Sequence, residues 1–398
     1  MRTVAEHQSV VAKLISPPEP TVLSLEHAAG RVLARDLVAA RPLPAFDNSA
    51  MDGYAMRAAD IAGASATNPV SLPVVEDVPA GRVDGPALYP GTAHRIMTGA
   101  PLPAGADTVV QVEATDGGTE IVAIHETREP GQHIRRAGED VQAGDTVLAA
   151  ATVLGAAQLG LVAALGEPAV TVVPPLRVLV LSTGSELVEP GQPLVHGQIH
   201  ESNGVMLATA VRAAGATAEQ LHFVADDVDE FLQALHSRLR HVDLVLTSGG
   251  VSAGAYEVVK DALAGQGVEF VKVAMQPGMP QGAGLFDGVP VVTLPGNPVS
   301  SLVSFEVFVR PALRAAMGFP DVSRPALRAT LTEALDSPAG RRQFRRGVLD
   351  RGTATVHPIG PPASHFLRWM AASDCLLELP EDVTHLEPGA EVNAWLID

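Results

Sequence analysis

Three short segments combine small and hydroxylated residues in a way that suits close approach to an anion. They are Ser182-Thr183-Gly184-Ser185-Glu186, Thr247-Ser248-Gly249-Gly250-Val251-Ser252 and Pro295-Gly296-Asn297-Pro298. Glycines and short hydroxyl side chains let backbone amides reach a phosphate or a polar ring. None of the three is a Walker sequence, and no GxGxxG opens the first strand-helix unit, so P-loop and dinucleotide sites are disfavoured. Carboxylates accompany the loops: Glu186 after the STG turn, Asp226 and Asp227 at the end of an apolar run, and Glu257 after SGGVS. Such oxygens suit Mg²⁺ that bridges phosphate oxygens. Plainer readings stand beside this one. A lone Gly-rich turn is ordinary turn chemistry, Asp227 can be an N-cap, and Glu257 a first-turn charge favoured by the helix dipole. Glu186 has no capping role available. A further polar segment, PAFDNSAMDGYAM from Pro44 to Met56, holds Asp47, Asn48 and Asp52, each a candidate Asx-turn residue beside aromatic neighbours. His125, His133, His196 and His200 lack a zinc-site constellation, and no GxSxG elbow marks a hydrolase triad.

The elements that must position these residues follow from hydrophobic periodicity. Thr3 with Glu6 reads as a capping box opening a helix that Pro17-Pro18 stops. Between Phe46 and Asp145, β-branched runs alternate with Pro/Gly turns, the texture of a β-rich insert. VLGAAQLGLVAALG, ending at Gly166, is a helix. From Arg177, strands (RVLVLS, LHFVA, DLVLT, EFVKVA, PVVTL) alternate with amphipathic helices, which predicts a parallel sheet covered on both faces. The last helix starts at Asn297 as N-cap with Pro298 at N1 and stops at Gly318. In such a sheet ligands gather at the carboxyl ends of the strands, where all three loops fall. After Pro320 the pattern returns to short strands, as in a small β barrel or sandwich. The expected domains are a helical linking body of 1–45 with 146–171, a β insert at 46–145, an α/β domain at 172–320 and a C-terminal β domain at 321–398.

The chain carries a formal charge of −18, so a nucleic-acid or anionic-membrane surface over the whole molecule is disfavoured. Residues 341–370 are a local exception, with Arg341, Arg342, Arg345, Arg346, Arg351 and Arg368 against Asp350 alone. Cys375 is the only cysteine, which excludes an intrachain disulfide and suits a reducing compartment. No apolar run reaches the roughly 18 residues of a spanning helix and the start lacks signal-peptide character, so a cytoplasmic protein is expected.

Read together, PLPAFDNSAMDGYAM, RIMTGAPLPAGADTVVQVE, RRAGEDVQAGD, VLVLSTGSEL with GQIHESN, DLVLTSGGVSAGAYEVVK and VVTLPGNPVSSLVSFEVFVRPALR resemble the molybdopterin molybdenumtransferases. These are the MoeA-type molybdenum insertases, related to the E domain of gephyrin. The resemblance runs from near residue 4 to at least Gly318 and, more weakly, through GRRQFRRGVL to the C-terminus. It implies a four-domain homodimer whose α/β domain is similar to molybdopterin adenylyltransferase, with the cleft between that domain of one subunit and the β insert of the other. The implied reaction takes adenylylated molybdopterin and molybdate, hydrolyses the pyrophosphate link with Mg²⁺ present, releases AMP and leaves molybdenum on the dithiolene. The molybdopterin adenylyltransferase is the implied candidate partner. By the same resemblance, Asp52, Asp140, Glu186 and Glu257 are the catalytic candidates, with Asp52, Glu186 and Glu257 as metal ligands. Thr98, Thr183, Gly184, Asp226, Asp227, Ser248, Gly249, Gly250, Ser252, Lys272, Pro295, Asn297, Pro298, Ser300 and Arg345 are the substrate-binding candidates.

Two departures stand out. Where the family commonly reads KPGKP, this chain reads Gln276-Pro277-Gly278-Met279-Pro280, and both cations are missing. Glu257 stands where an Asp is common, and Ala255 replaces another acidic residue. The lost lysines motivate the alternative of a non-catalytic cofactor-binding or scaffold paralogue on the same fold. A nucleotide pyrophosphatase is a third reading, disfavoured by the complete N-terminal half.

Overall fold

The structure, a computed structural model, describes residues 1–223, 227–249 and 258–397. Packing divides the chain into two compact units. One comprises Met1–Ala34, Ala151–Leu154 and Val170–Asp398; the other comprises Arg35–Ala150 and Gly155–Ala169.

The first unit is built on a six-stranded sheet. Its strands in chain order are β1 (Arg177–Thr183), β2 (Thr217–Phe223), β3 (Leu244–Ser248), β4 (Val268–Lys272), β5 (Pro280–Phe286) and β6 (Val289–Leu294), arranged β2-β1-β3-β6-β5-β4. The first four in that order are parallel. β5 runs antiparallel to both β6 and β4, so the sheet is mixed rather than wholly parallel. The hairpin from β5 to β6 turns on Asp287 (φ 48°) and Gly288 (φ 80°), the Asp-Gly pair that two-residue hairpins favour.

Strand residues alternate between two cores, as a sheet covered on both faces requires. Val178, Val180, Leu244, Leu246, Val292 and Leu294 pack with helices α1 (Val4–Leu14), α2 (Asn203–Ala213) and α5 (Pro298–Ser304). Leu179, Leu181, Val245 and Val291 pack against α3 (Val228–Leu239) and α4 (Val258–Leu263). The capping box of α1 forms: Thr3 Oγ1 accepts from the Glu6 N–H at 3.2 Å, and Glu6 Oε2 accepts from the Thr3 N–H at 2.8 Å. Beyond α5 the helix continues through a π turn at Phe305–Val309 into Arg310–Ala316. Pro311 has no N–H to give the Val307 carbonyl, which accepts instead from Gln8 Nε2 at 3.1 Å.

The C-terminal part closes into a five-stranded barrel. Strands β7 (Ala326–Leu331), β8 (Arg342–Asp350), β9 (Thr355–Pro358), β10 (Cys375–Leu379) and β11 (Glu391–Leu396) pair in the ring β8-β9-β7-β11-β10, which β8 and β10 close. Leu331, Leu349, Val356, Leu377 and Val392 fill its interior. Phe344 and Leu376 face outward into the core of the α/β layer.

In the second unit, strands Thr108–Gln111, Gly53–Met56, Ala93–Ile96, Val70–Val78 and Ile121–Ile124 form one sheet in that spatial order. Tyr54, Met56, Leu72, Val110 and Val122 are its core. The helix expected before Gly166 spans Ala156–Ala164. Among the described residues no helix is long and apolar enough to cross a membrane.

Candidate functional site

The three strand-end loops meet at the carboxyl edge of the sheet, and glycines are what allow it. Gly249 follows β3 with φ 93°, and a Cβ there would lie 3.0 Å from the Thr183 carbonyl oxygen at the end of β1. A Cβ on Gly296, after β6, would come within 3.4 Å of Gly249 Cα. At Gly184 a Cβ would fall 2.6 Å from Glu186 Oε2, so the Glu186 carboxylate occupies the space that the missing side chain leaves. At Gly249, where φ is positive and the neighbour is backbone, a side chain would strain the approach of the second loop to the first.

Around this junction lies a cleft of about 600 Å³. Seven of the expected site residues line it: Thr183, Gly184 and Glu186 from the first loop, Ser248 and Gly249 from the second, and Asn297 and Pro298 from the third. Pro295 and Ser300 are buried next to the lining residues of the third loop. Asp226, Gly250, Ser252 and Glu257 lie outside the described residues.

Other expected residues are used elsewhere. Asp227 caps α3, its Oδ1 accepting from the Glu230 N–H at 2.9 Å. Lys272 ends β4, exposed, and lines a separate groove with Arg2 and Glu269. The arginine-rich stretch does not form an open cationic face. Arg342 pairs with Glu378 and Glu381, each at 3.1 Å. Arg345 donates to the Gly360 carbonyl at 3.3 Å, and Arg346 donates to the carbonyls of Pro361 and Ala363. Burial moves both Arg345 and Arg346 below the usual guanidinium range.

These arginines brace the loop that brings two unexpected residues to the cleft. Ser364 Oγ accepts from Asn297 Nδ2 at 2.9 Å, its carbonyl accepts from the Val299 N–H at 3.1 Å, and His365 joins the lining. Asn297 therefore heads α5 without capping it through its side chain. The HESN stretch supplies the rest of the wall. His200, Glu201, Ser202 and Asn203 line it, and Asn203 Nδ2 donates to the Gly296 carbonyl at 2.6 Å. Ser202, the residue before α2, makes no side-chain cap, and the cap comes from Glu201. The helical period of α2 marks its start but not which of three adjacent polar residues turns inward. His365 carries no local signal at all, being one imidazole in a loop remote in sequence.

In the second unit, Asp52 and Thr98 come together. Asp52 Oδ1 accepts from the Thr98 N–H at 2.6 Å and from its hydroxyl at 2.8 Å, and these bonds, the backbone one first, hold the carboxyl below its usual range. Asp140 is exposed, and its N–H donates to the Leu43 carbonyl at 3.0 Å. Asp47 ties the same region together through the Ala137 N–H at 2.8 Å and Arg136 at 2.6 Å. Asn48 and Ser49 are buried and hold local backbone, so of the NSAMD string it is Asp52 that presents a carboxylate to solvent.

Among the described residues no three His, Cys, Asp or Glu side chains converge as a metal cage. Among the described residues, the cleft lining in the first unit carries the carboxylates of Glu186 and Glu201 and neither lysine nor arginine. Backbone amides of the loops can meet a phosphate directly, and Mg²⁺ is commonly held by one or two carboxylates together with substrate oxygens. Carboxylate oxygens of this kind fit that ion, and Glu186 is the acidic residue of the first loop that lines the cleft.

Comparison with known proteins covers nearly the whole chain. Residues 2–166 match the MoeA N-terminal region (domain I and II), 179–315 a probable molybdopterin binding domain, and 328–397 the MoeA C-terminal region (domain IV). Molybdopterin molybdenumtransferase 2 of Mycobacterium tuberculosis is 58% identical over 402 residues, covering 99% of each chain. The molybdopterin molybdenumtransferase of Haemophilus influenzae is 35% identical over 96% of this chain and 95% of its own. A crystal structure of the molybdopterin biosynthesis MoeA protein from Pyrococcus horikoshii superposes with a TM-score of 0.84 at 31% identity, covering 100% of this chain and 99% of that one. The chain belongs to the MoeA family of molybdopterin molybdenumtransferases, enzymes of molybdenum cofactor biosynthesis.

Proposed function

We propose that this enzyme takes adenylylated molybdopterin and molybdate, adds water across the phosphoanhydride to release AMP, and leaves molybdenum on the pterin dithiolene. One observation carries the reading: three strand-end loops, the Glu186 carboxylate and a C-terminal loop bearing His365 converge on one polar cleft whose described lining holds no Lys or Arg. The hydroxyls of Thr183 and Ser248 and the amide of Asn297 suit a phosphorylated pterin, oriented by hydrogen bonds. Glu186 would hold Mg²⁺, which when bound neutralises charge on the phosphate oxygens. The Glu186 carboxylate lies in the space that a side chain at Gly184 would fill. Asp52, fixed by Thr98, is the proposed second acidic residue of the reaction.

The working molecule on this reading is a cytoplasmic homodimer that receives its substrate from a molybdopterin adenylyltransferase. Exposed apolar side chains support the dimer. Leu194, Val195, Ile199 and Val205 are all open to solvent in the stretch that supplies the cleft's Ile199 and His200.

Glu186→Gln and Asp52→Asn test the reading. Each should lower AMP release from adenylylated molybdopterin by roughly a hundredfold or more, the scale of losing a group that offsets transition-state charge. Thermal unfolding of both variants should match the wild type. Unchanged rates at limiting Mg²⁺ would remove both residues from the chemistry.

A further inference from the structure

The Glu186 carboxylate is carried by a flimsy element. After β1 the chain forms a two-stranded parallel ribbon, Leu187–Val188 against Ile199–His200, separate from the main sheet. Glu186 precedes its first strand and Glu201 follows its second. Two backbone bonds bind the ribbon at these ends: the Ile199 N–H to the Glu186 carbonyl at 2.9 Å, and the Glu201 N–H to the Val188 carbonyl at 2.8 Å. So small a ribbon does not hold its own geometry in water. Something must fix it to the fold.

Glu201 is placed to do so. Its side chain is buried, at 7% exposure, in the wall of the cleft. Oε1 accepts from Ser182 Oγ at 2.9 Å and from the Gly204 N–H at 2.6 Å. Ser182 lies in β1, one residue before the STG turn's Thr183, and Gly204 is in the first turn of α2. The fit is close, since a Cβ on Gly204 would lie 3.0 Å from Glu201 Oε2 and 3.1 Å from Ser182 Oγ. The carboxylate's hydrogen bonds come from these two donors, at the positive end of α2. A buried carboxylate held this way is costly to leave unsatisfied.

We propose that Glu201 is a positioning residue of the reaction: it pins the ribbon to β1 and α2 and thereby sets the place of Glu186 in the cleft. The link to catalysis rests on the functional reading above, whereas the pinning itself does not.

Hydrogen exchange and AMP release, measured on the same full-length variants, separate the two. In Glu201→Ala, exchange of amides in 184–190 and 199–206 should rise by about tenfold or more while β3 and β6 keep their protection. AMP release should fall through kcat, with Glu201→Gln, which keeps the acceptor oxygen, restoring most of both. Gly204→Ala, which leaves the carboxylate in place but crowds it, should give the same ribbon-confined rise, and it keeps the test open if Glu201→Ala fails to fold. Wild-type exchange in both Glu201→Ala and Gly204→Ala overturns the proposal. Raised exchange with unaltered AMP release overturns the role in positioning Glu186. A wild-type protein that releases no AMP would refute the functional reading, and the exchange comparison would still decide whether Glu201 pins the ribbon.

Discussion

Gln276 and Met279 stand where the family resemblance leads one to expect lysines, and their surroundings bear on what that difference does. Gln276 pairs with Gln343 at the start of the barrel, and the Met279 carbonyl accepts from the Val273 N–H at 2.7 Å. Both side chains are partly exposed, so longer cationic ones have room to reach solvent. The nearby arginines do not replace the missing charge freely, because Arg345 and Arg346 are spent on the carbonyls of the loop that bears Ser364. The expected outcome is that wild-type insertion saturates only at high molybdate, with AMP release less affected. Gln276→Lys with Met279→Lys should lower the molybdate requirement, each charge contributing on the order of 1 kcal/mol. Titrating molybdate against activation of an apo molybdoenzyme checks this. Saturation at micromolar molybdate that the added lysines leave unchanged would refute it.

Helix α1 illustrates how an element anchors the site from a distance. His7 is buried against Phe308, ring centroids 4.7 Å apart, in the π-containing helix that continues from α5. Burial first, then the neighbouring Arg2, holds its imidazole down to about 4. The unfolded chain therefore binds a proton that the folded one refuses as pH falls below the ordinary histidine value. Stability is full above about 6.5 and is lost progressively toward 4. Between pH 7 and pH 5 this amounts to about 2 kcal/mol, which urea unfolding at the two values should show. His7→Leu should remove most of that difference, and an equal pH response in the variant would count against the mechanism.

At the same scale lies the limit of what periodicity reveals. Apolar strands flanked by turn residues mark β1, β3, β4 and β6, and the capping box marks α1. β5 escapes the reading because PQGAGLF is interrupted by glycines. Those glycines are packing devices: a Cβ on Gly282 would meet Thr293 Oγ1 at 2.2 Å, and one on Gly284 would meet the Gly267 carbonyl at 2.0 Å. Local composition says loop where neighbouring strands demand the absence of a side chain.

For the whole molecule, the order of parts along the chain was readable: β insert, α/β layer, C-terminal barrel. The loops of the cleft were readable too, since sheet topology sends strand ends to one edge. The contribution of His365 was not, because it depends on how the barrel seats against the α/β layer through Phe344, Leu376 and Trp395. A homodimer should give a light-scattering mass near twice the 41.3 kDa of the chain at micromolar concentration. A single-chain mass would argue against the exposed apolar stretch around Ile199 as an interface.

We propose that the cleft at the carboxyl edge of the α/β sheet couples pyrophosphate hydrolysis to molybdenum transfer. The most direct test of this coupling incubates the purified protein with adenylylated molybdopterin, Mg²⁺ and molybdate, following AMP release and activation of an apo molybdoenzyme separately in the same reaction. Both signals should appear, each dependent on Mg²⁺ and each abolished by Glu186→Gln. Substrate binding without AMP release or activation at any molybdate concentration would contradict it and leave a cofactor-binding scaffold in its place.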